Sequence, residues 1–286
     1  MPAEYATPSP AGLLDRLTAL LTPAAGLRAG EEAALLLDRV RPLPPEEAAH
    51  RALDLAARRA RGAPLALLVG RQRFLGLDLL TREDVLAPRE ESELLAREAL
   101  AVARSLAGAE VRLADLGCGA GNLACALACH EPRSRVWASD LAAPCVALTR
   151  ENAALHHLEG RIRVAQGDLF GPLEGLGLEG GLDLVVMNPP YIPSASLERN
   201  HASLLQFEPR EAFDGGPYGL TIIGRLLQEA PAFLKPGGHL LLEFGEGQER
   251  LVATLADRSG HYAACRLART PEGRPRVAVL RRPEAP

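Results

Sequence analysis

Beyond residue 110, short apolar runs ending in polar or small residues alternate with longer amphipathic stretches. Residues 111–116, 135–140, 161–166, 182–187 and 239–244 have the length and aliphatic content of buried strands. Near 121–129, 143–158, 219–234 and 247–258, apolar residues return at helical spacing instead. This alternation predicts a parallel sheet covered by helices on both faces, the doubly wound α/β arrangement. Residues 263–267 and 277–280 flank Pro271-Glu272-Gly273 and predict a terminal hairpin.

Upstream, the pattern is helical. Leu13, Leu14, Leu17, Leu20 and Leu21 predict one apolar stripe. Residues 31–40 and 46–61 predict two more helices, entered from turns at Gly30 and at Pro44-Pro45. The expected organisation is a small helical domain over 1–67, a strand-rich connector over 68–93, and the α/β domain over 94–286.

Composition narrows the class. A chain of 286 residues holds one full domain plus a small one, and 47% hydrophobic content is ordinary for a sizeable core. Net charge is −4, which disfavours non-specific attraction to nucleic acid, so no direct nucleic-acid binding is expected. Lysine occurs only at 235; the other basic side chains are arginine. Cysteines at 118, 125, 129, 145 and 265 are odd in number and lack framework spacing, which points to a reducing compartment. Cys125 and Cys129 are one helical turn apart without a second pair, and read as small core residues; no metal is expected. Neither a leader-like start nor a membrane-length apolar run is evident, so a cytoplasmic protein without a membrane partner is expected.

Two motifs carry chemistry. The run ending at Met187 leads into Asn188-Pro189-Pro190-Tyr191. Both prolines fix their own φ and lack an N–H, and Pro189 holds Asn188 extended. The carbonyls there, with the Asn188 carboxamide oxygen, are acceptors for a planar NH₂ group, and Tyr191 offers it an aromatic face. The run ending at Leu116 carries Asp115 and leads into Gly117-Cys118-Gly119-Ala120-Gly121, then a helix. This is the strand, glycine turn and helix of a nucleotide-binding unit. Asp140, at the end of the next strand, is placed to accept from both hydroxyls of a ribose. The spacing Gly-x-Gly-x-Gly differs from the dinucleotide pattern, because position 122 is Asn. Such a turn suits a cofactor with a ribose and an amino-acid carboxylate but no pyrophosphate, a description that S-adenosyl-L-methionine meets. Asp168, after the third strand, is placed to accept from an adenine amine, with Leu169 beside the ring.

With these motifs the chain resembles the HemK-type family of release-factor glutamine N5-methyltransferases, within the class I S-adenosylmethionine-dependent methyltransferases. The resemblance runs from about Arg58 to the C-terminus. It takes in residues 58–65, Gly70-Arg71, Phe74-Leu75-Gly76-Leu77-Asp78, residues 85–89 and Phe207-Glu208-Pro209-Arg210, besides the two motifs. It implies a seven-stranded Rossmann-like sheet with an antiparallel last strand, and a helical N-terminal domain that recognises a protein. It implies methyl transfer to the glutamine amide of the Gly-Gly-Gln loop of a peptide-chain release factor. Asn188, Pro189 and Tyr191 are then the catalytic positions, and Pro190 joins them in holding the acceptor. Asp115, Gly117, Cys118, Gly119, Ala120, Gly121, Asp140, Asp168, Leu169 and Asn188 hold the cofactor. One departure stands out: family members commonly read Pro-Arg-Pro-Glu-Thr-Glu where this chain reads Pro88-Arg89-Glu90-Glu91-Ser92-Glu93. Ser92 keeps the hydroxyl and Glu93 the acid, but Glu90 replaces a proline, which leaves open a paralogue acting on another peptide or small-molecule amide or amine. Methylation of adenine or guanine is the more distant alternative.

Overall fold

The computed structural model describes residues 10–200, 202 and 204–284. The chain divides into two compact units, one ending at Gln72 and the other beginning at Arg73. In the first, α1 (Pro10–Ala25), α2 (Ala29–Val40) and α3 (Pro45–Ala60) pack on one another, followed by the short α4 (Leu65–Val69). The expected leucine stripe on α1 is narrower than its spacing suggested. Leu13, Leu17 and Leu21 are buried, because i, i+4 steps keep them in one row; Leu14 and Leu20 flank that row and stay 36% and 43% exposed. Glu32 on α2 is buried and accepts from Arg59 Nε and Nη2 on α3 at 2.7 and 3.0 Å. This two-pronged pair satisfies both carboxylate oxygens and fixes the two helices in register.

Hairpin β1 (Arg71–Phe74) and β2 (Leu77–Leu80) turns through Leu75 and Gly76, both at positive φ (44° and 82°), as a tight primed turn requires. After a short 3₁₀ turn over Glu90–Ser92 comes α5 (Glu93–Ser105). The α/β series follows: β3 (Val111–Leu116), α6 (Asn122–His130), β4 (Ser134–Asp140), α7 (Ala143–Leu155), β5 (Ile162–Gln166) and β6 (Leu182–Met187). It continues through α8 (Ser194–Asn200), α9 (Thr221–Phe233), β7 (Leu234–Glu243), α10 (Glu249–Ser259), β8 (Ala264–Arg269) and β9 (Pro275–Arg281).

The strands form one mixed seven-stranded sheet, ordered β5-β4-β3-β6-β7-β9-β8. All neighbouring pairs from β5 to β7 are parallel, and β9 runs antiparallel to both β7 and β8. Period-two alternation explains why both faces are covered. From Leu184 onward on β6, Leu184 and Val186 enter the core shared with α5 and α6, while Val185 and Met187 enter the core shared with α9 and α10; Leu182, before the register shift, departs from the alternation and lies in the second core. Strand β7 begins five residues earlier than its apolar run, at Leu234 rather than 239. Leu234 pairs with Leu182 before the register shifts between Leu182 and Leu184, so Pro236-Gly237-Gly238 is an irregularity inside a strand and not the turn that its composition suggests. Helix α8 has no counterpart among the elements expected from the pattern.

Strand order reverses between β3 and β6, which makes their carboxyl ends the crevice of the sheet. The register fixes what meets there. Leu116 pairs with Ser139 on one side and Met187 on the other, and Met187 pairs with Leu242. One residue further along each strand, Asp140, Gly117, Asn188 and Glu243 therefore stand in a single row across β4, β3, β6 and β7.

Candidate active site

The glycine turn is held from behind by side chains of α7. Thr149 Oγ1 donates to the Gly119 carbonyl at 2.9 Å, and Asn152 Nδ2 donates to the Ala120 carbonyl at 2.8 Å. Asn152 also exchanges two bonds with the backbone of Leu80, tying the hairpin to the turn. Gly121 sits at φ +78°, and a Cβ there would lie 2.8 Å from Thr149 Cγ2, so no other residue fits. Gly119 is the opposite case: a Cβ would meet nothing within 4 Å, so one face of the turn is open. Cys118 and Ala120 point inward and are buried; burial pushes the Cys118 thiol well above its ordinary range, so it serves as a small core side chain.

Two acids flank the turn. Asp140 Oδ2 accepts from the Gly119 N–H and Oδ1 from the Ala142 N–H, each at 2.9 Å. Each oxygen keeps a further lone pair. Asp115 is fully buried; its Oδ2 accepts from the Ala124 N–H at 2.9 Å, while Oδ1 has no partner among the described residues. Burial pushes its carboxyl up to about 8, opposed by the Ala124 bond and reinforced by the charge of Asp140. An unpartnered buried oxygen beside an open glycine and a carboxylate with spare lone pairs fits a ligand carrying an ammonium group and a ribose diol.

Asp168 and Leu169 lie past β5. Leu169 is buried at φ +44° and its carbonyl accepts from Ser139 Oγ at 2.8 Å. The Asp168 side chain is 55% exposed and paired with Arg225 at 2.9 Å.

Across the crevice, Pro189 is buried and Asn188, Pro190 and Tyr191 are partly exposed. The tetrad is braced from behind: a Cβ on Gly219 would lie 2.1 Å from the Tyr191 carbonyl, and Gln248 Nε2 donates to that same carbonyl at 2.9 Å. Asn188 Nδ2 donates to Ser92 Oγ at 2.9 Å, and Ser92 Oγ donates to Glu243 Oε2 at 2.7 Å. Glu243 Oε1 faces the Tyr191 hydroxyl at 3.4 Å and Arg276 Nη2 at 3.3 Å. Arg276 Nη2 also donates to the Tyr191 hydroxyl at 3.1 Å, and its guanidinium carbon lies 5.5 Å from the ring centre. Burial, then the nearby Glu243 charge, pushes the Tyr191 phenol up, so it remains a donor.

Ser92, Thr149, Asn152, Glu243 and Arg276 were not singled out as site residues from the sequence, although the hydroxyl of Ser92 was noted. The one available signal was Glu243 at the end of an apolar run, the same position in its strand as Asp140. In the departing segment, Glu90 and Glu91 are exposed and Ser92 is buried. Glu93 turns away from the crevice: its Oε1 accepts from the Leu75 N–H at 2.7 Å. Arg89 pairs with buried Glu208, which also accepts from the Ala87 N–H. The segments around Pro88 and Pro209 are thereby clamped together.

Residues 92–206 match the model of the methyltransferase small domain family. A release factor glutamine methyltransferase of Geobacter sulfurreducens is 39% identical over 252 residues, covering 86% of this chain and 84% of that protein. Its counterpart in Moorella thermoacetica is 42% identical over 206 residues, covering 72% and 70%. Among solved structures, the hMettl16 catalytic domain in complex with MAT2A 3'UTR hairpin 6 aligns with a TM-score of 0.58 at 16% identity, over 79% of this chain and 81% of that one. A methyltransferase from Pyrococcus furiosus aligns at 0.50 and 20% identity, over 74% and 91%. These two likenesses are of fold. The extent of the sequence matches decides the affiliation: this chain belongs to the release factor glutamine methyltransferase family.

Proposed function

We infer that the protein transfers a methyl group from S-adenosylmethionine to the side-chain amide nitrogen of a glutamine, in the Gly-Gly-Gln loop of a peptide-chain release factor. The observation that carries this reading is the row of residues at the crevice: strand register puts Gly117 between Asp140 on one side and Asn188 on the other. Donor and acceptor sites then share one edge of the sheet. The names of the relatives in Geobacter sulfurreducens and Moorella thermoacetica supply the acceptor.

When bound, S-adenosylmethionine supplies an electrophilic methyl on a sulfonium, which needs little acid assistance. Asp140 would accept from the ribose hydroxyls and Asp115 Oδ1 from the ammonium group. Asp168 would accept from the adenine amine while keeping Arg225, since a carboxylate has several lone pairs; Leu169 would lie beside the ring. The harder problem is the nucleophile, because an amide nitrogen shares its lone pair with its carbonyl. Asn188 Oδ1 and the Pro189 carbonyl accept the two N–H protons and turn the nitrogen toward the methyl. The same two oxygens stabilise the positive charge that develops on that nitrogen. Tyr191 packs against the flat amide. The tetrad carries no carboxylate, so after the C–S bond breaks and the C–N bond forms, the cationic nitrogen gives its extra proton to solvent water.

The test is direct. Purified protein is incubated with a release factor and S-adenosylmethionine, and the digested factor is analysed by mass spectrometry. The glutamine-bearing peptide gains the mass of one methylene. An unmodified factor, alongside methylation of another amide or amine, would move the assignment to a paralogue.

A further inference from the structure

Asn188 can do its work in only one of two orientations of its carboxamide. With Oδ1 toward the crevice it accepts from an incoming NH₂; with Nδ2 there it opposes it, donor against donor. Nothing in the Asn-Pro-Pro-Tyr tetrad decides between the two. The decision comes from three residues outside it. We propose that Glu243 is a positioning residue, which fixes the orientation of Asn188 through Ser92 and the seat of Tyr191 through its hydroxyl.

Glu243 is 2% exposed at the end of β7, in the row beside Asn188. Three donors converge on it: Ser92 Oγ on one oxygen, and the Tyr191 hydroxyl and Arg276 Nη2 on the other. Burial pushes the Glu243 carboxyl up, while the Ser92 bond and Arg276 act the other way; in the ionised form that these three donors favour it only accepts, so the single Ser92 proton is committed to Glu243. Ser92 Oγ then has only lone pairs to offer to Asn188, which must present Nδ2 to it. That leaves Oδ1 as the group turned away from Ser92. Arg276 provides the charge that lets an acid remain in this place. Its own burial is relieved by Glu243 and by the Tyr191 ring, over which it lies. The chain of bonds thus transmits a fixed polarity from a buried ion pair to an amide that is partly exposed. Replacing the carboxylate by a carboxamide removes the constraint, since Gln can donate to Ser92 and allow the whole chain to reverse.

This inference rests on the amide-methylation reading, and two measurements separate the failure of one from that of the other. Steady-state turnover of a release factor is compared for the full-length wild type, Ser92→Ala, Ser92→Thr, Glu243→Gln and the double variant Ser92→Ala/Glu243→Gln. Ser92→Ala and Glu243→Gln each lower kcat by about 10- to 100-fold, with the cofactor Kd and the factor's KM within about threefold of wild type. The double variant is no worse than its worse parent by more than about threefold, because both changes break one chain. Ser92→Thr recovers the turnover that Ser92→Ala loses. The second measurement needs no substrate: the Asn188 side-chain amide resonances, identified by their loss in Asn188→Ala, shift and lose exchange protection in Ser92→Ala and in Glu243→Gln. Wild-type kcat in Ser92→Ala or Glu243→Gln, multiplicative losses in the double variant, or amide resonances that ignore both changes would each overturn the proposal. If Glu243→Gln does not fold, the two Ser92 variants decide. If the wild type leaves the release factor unmodified, the functional reading fails while the resonances still judge the polarity.

Discussion

The two halves of the crevice are built from different materials. On the β3–β4 side the ligand-facing surface is mostly backbone, a glycine turn whose carbonyls are clasped by Thr149 and Asn152. On the β6–β7–β9 side it is side chains, with the tetrad wired through Ser92, Glu243 and Arg276. The contrast matches the two tasks. Holding a small molecule requires shape and a few fixed acceptors, which a glycine turn supplies at little cost in side-chain order. Activating an amide requires one acceptor oxygen aimed in one direction, and that requires a network with a defined polarity. Changes on the first side should therefore appear as binding, and changes on the second as turnover.

The largest effect should come from Asn188→Ala. Turnover falls by about a thousandfold or more, while calorimetry finds the S-adenosylmethionine Kd within about threefold of wild type. A comparable loss of cofactor affinity would erase the distinction between the halves. Next is Asp140→Ala, for which the split reverses. It loses the acceptors for the Gly119 and Ala142 N–H groups along with those for the ribose, so cofactor affinity falls by about 10- to 100-fold. With saturating cofactor, kcat recovers to within about tenfold of wild type.

The pH dependence sharpens the binding side. Asp115, with its carboxyl pushed up to about 8, is largely neutral at neutral pH. Pairing with a cofactor ammonium favours its ionised form, so binding below that pH expels a proton. Affinity then rises with pH by at most about tenfold per unit and levels above pH 8. Calorimetry in buffers of different ionisation enthalpy measures the proton directly. For folding the sign is opposite. The unfolded carboxyl titrates near its ordinary value of about 4, so the folded free protein binds more protons from there up to about pH 8. This group's contribution to stability therefore decreases as pH rises through that window. Thr149→Val is the mildest change. Loss of the hydroxyl frees the Gly119 carbonyl, costing about 1 kcal/mol of stability by denaturant unfolding and less than about tenfold in cofactor affinity.

The same contrast explains what could be read from the sequence. The backbone half was legible, because a glycine turn and a strand-terminal acid are contiguous motifs: residues 115–121 and Asp140 stand together in the sequence as they do in the fold. The central strands β3, β6 and β7 were legible for a similar reason, since strands covered on both faces are rich in apolar residues. Their register was not, and the row joining Asp140, Gly117, Asn188 and Glu243 exists only through register. The side-chain half was legible only at the tetrad. Ser92 and Glu243 are hydrogen-bonded across 151 positions of sequence, and the end of an apolar run is the one local sign of Glu243. The start of β7 at Leu234 was not legible, because its pairing with Leu182 of β6 lies across an irregularity at Pro236-Gly237-Gly238. Leu14 and Leu20 misled because hydrophobicity alone does not fix which side of a helix is covered.

One structure would test the central claim most directly, that of the full-length protein with the demethylated cofactor and a glutamine-containing peptide bound. There the cofactor sulfur is expected within about 6 Å of Asn188 Oδ1, with the glutamine amide nitrogen between them and bonded to that oxygen. A cofactor seated elsewhere on the sheet, or Asn188 presenting Nδ2 to the amide, would contradict it.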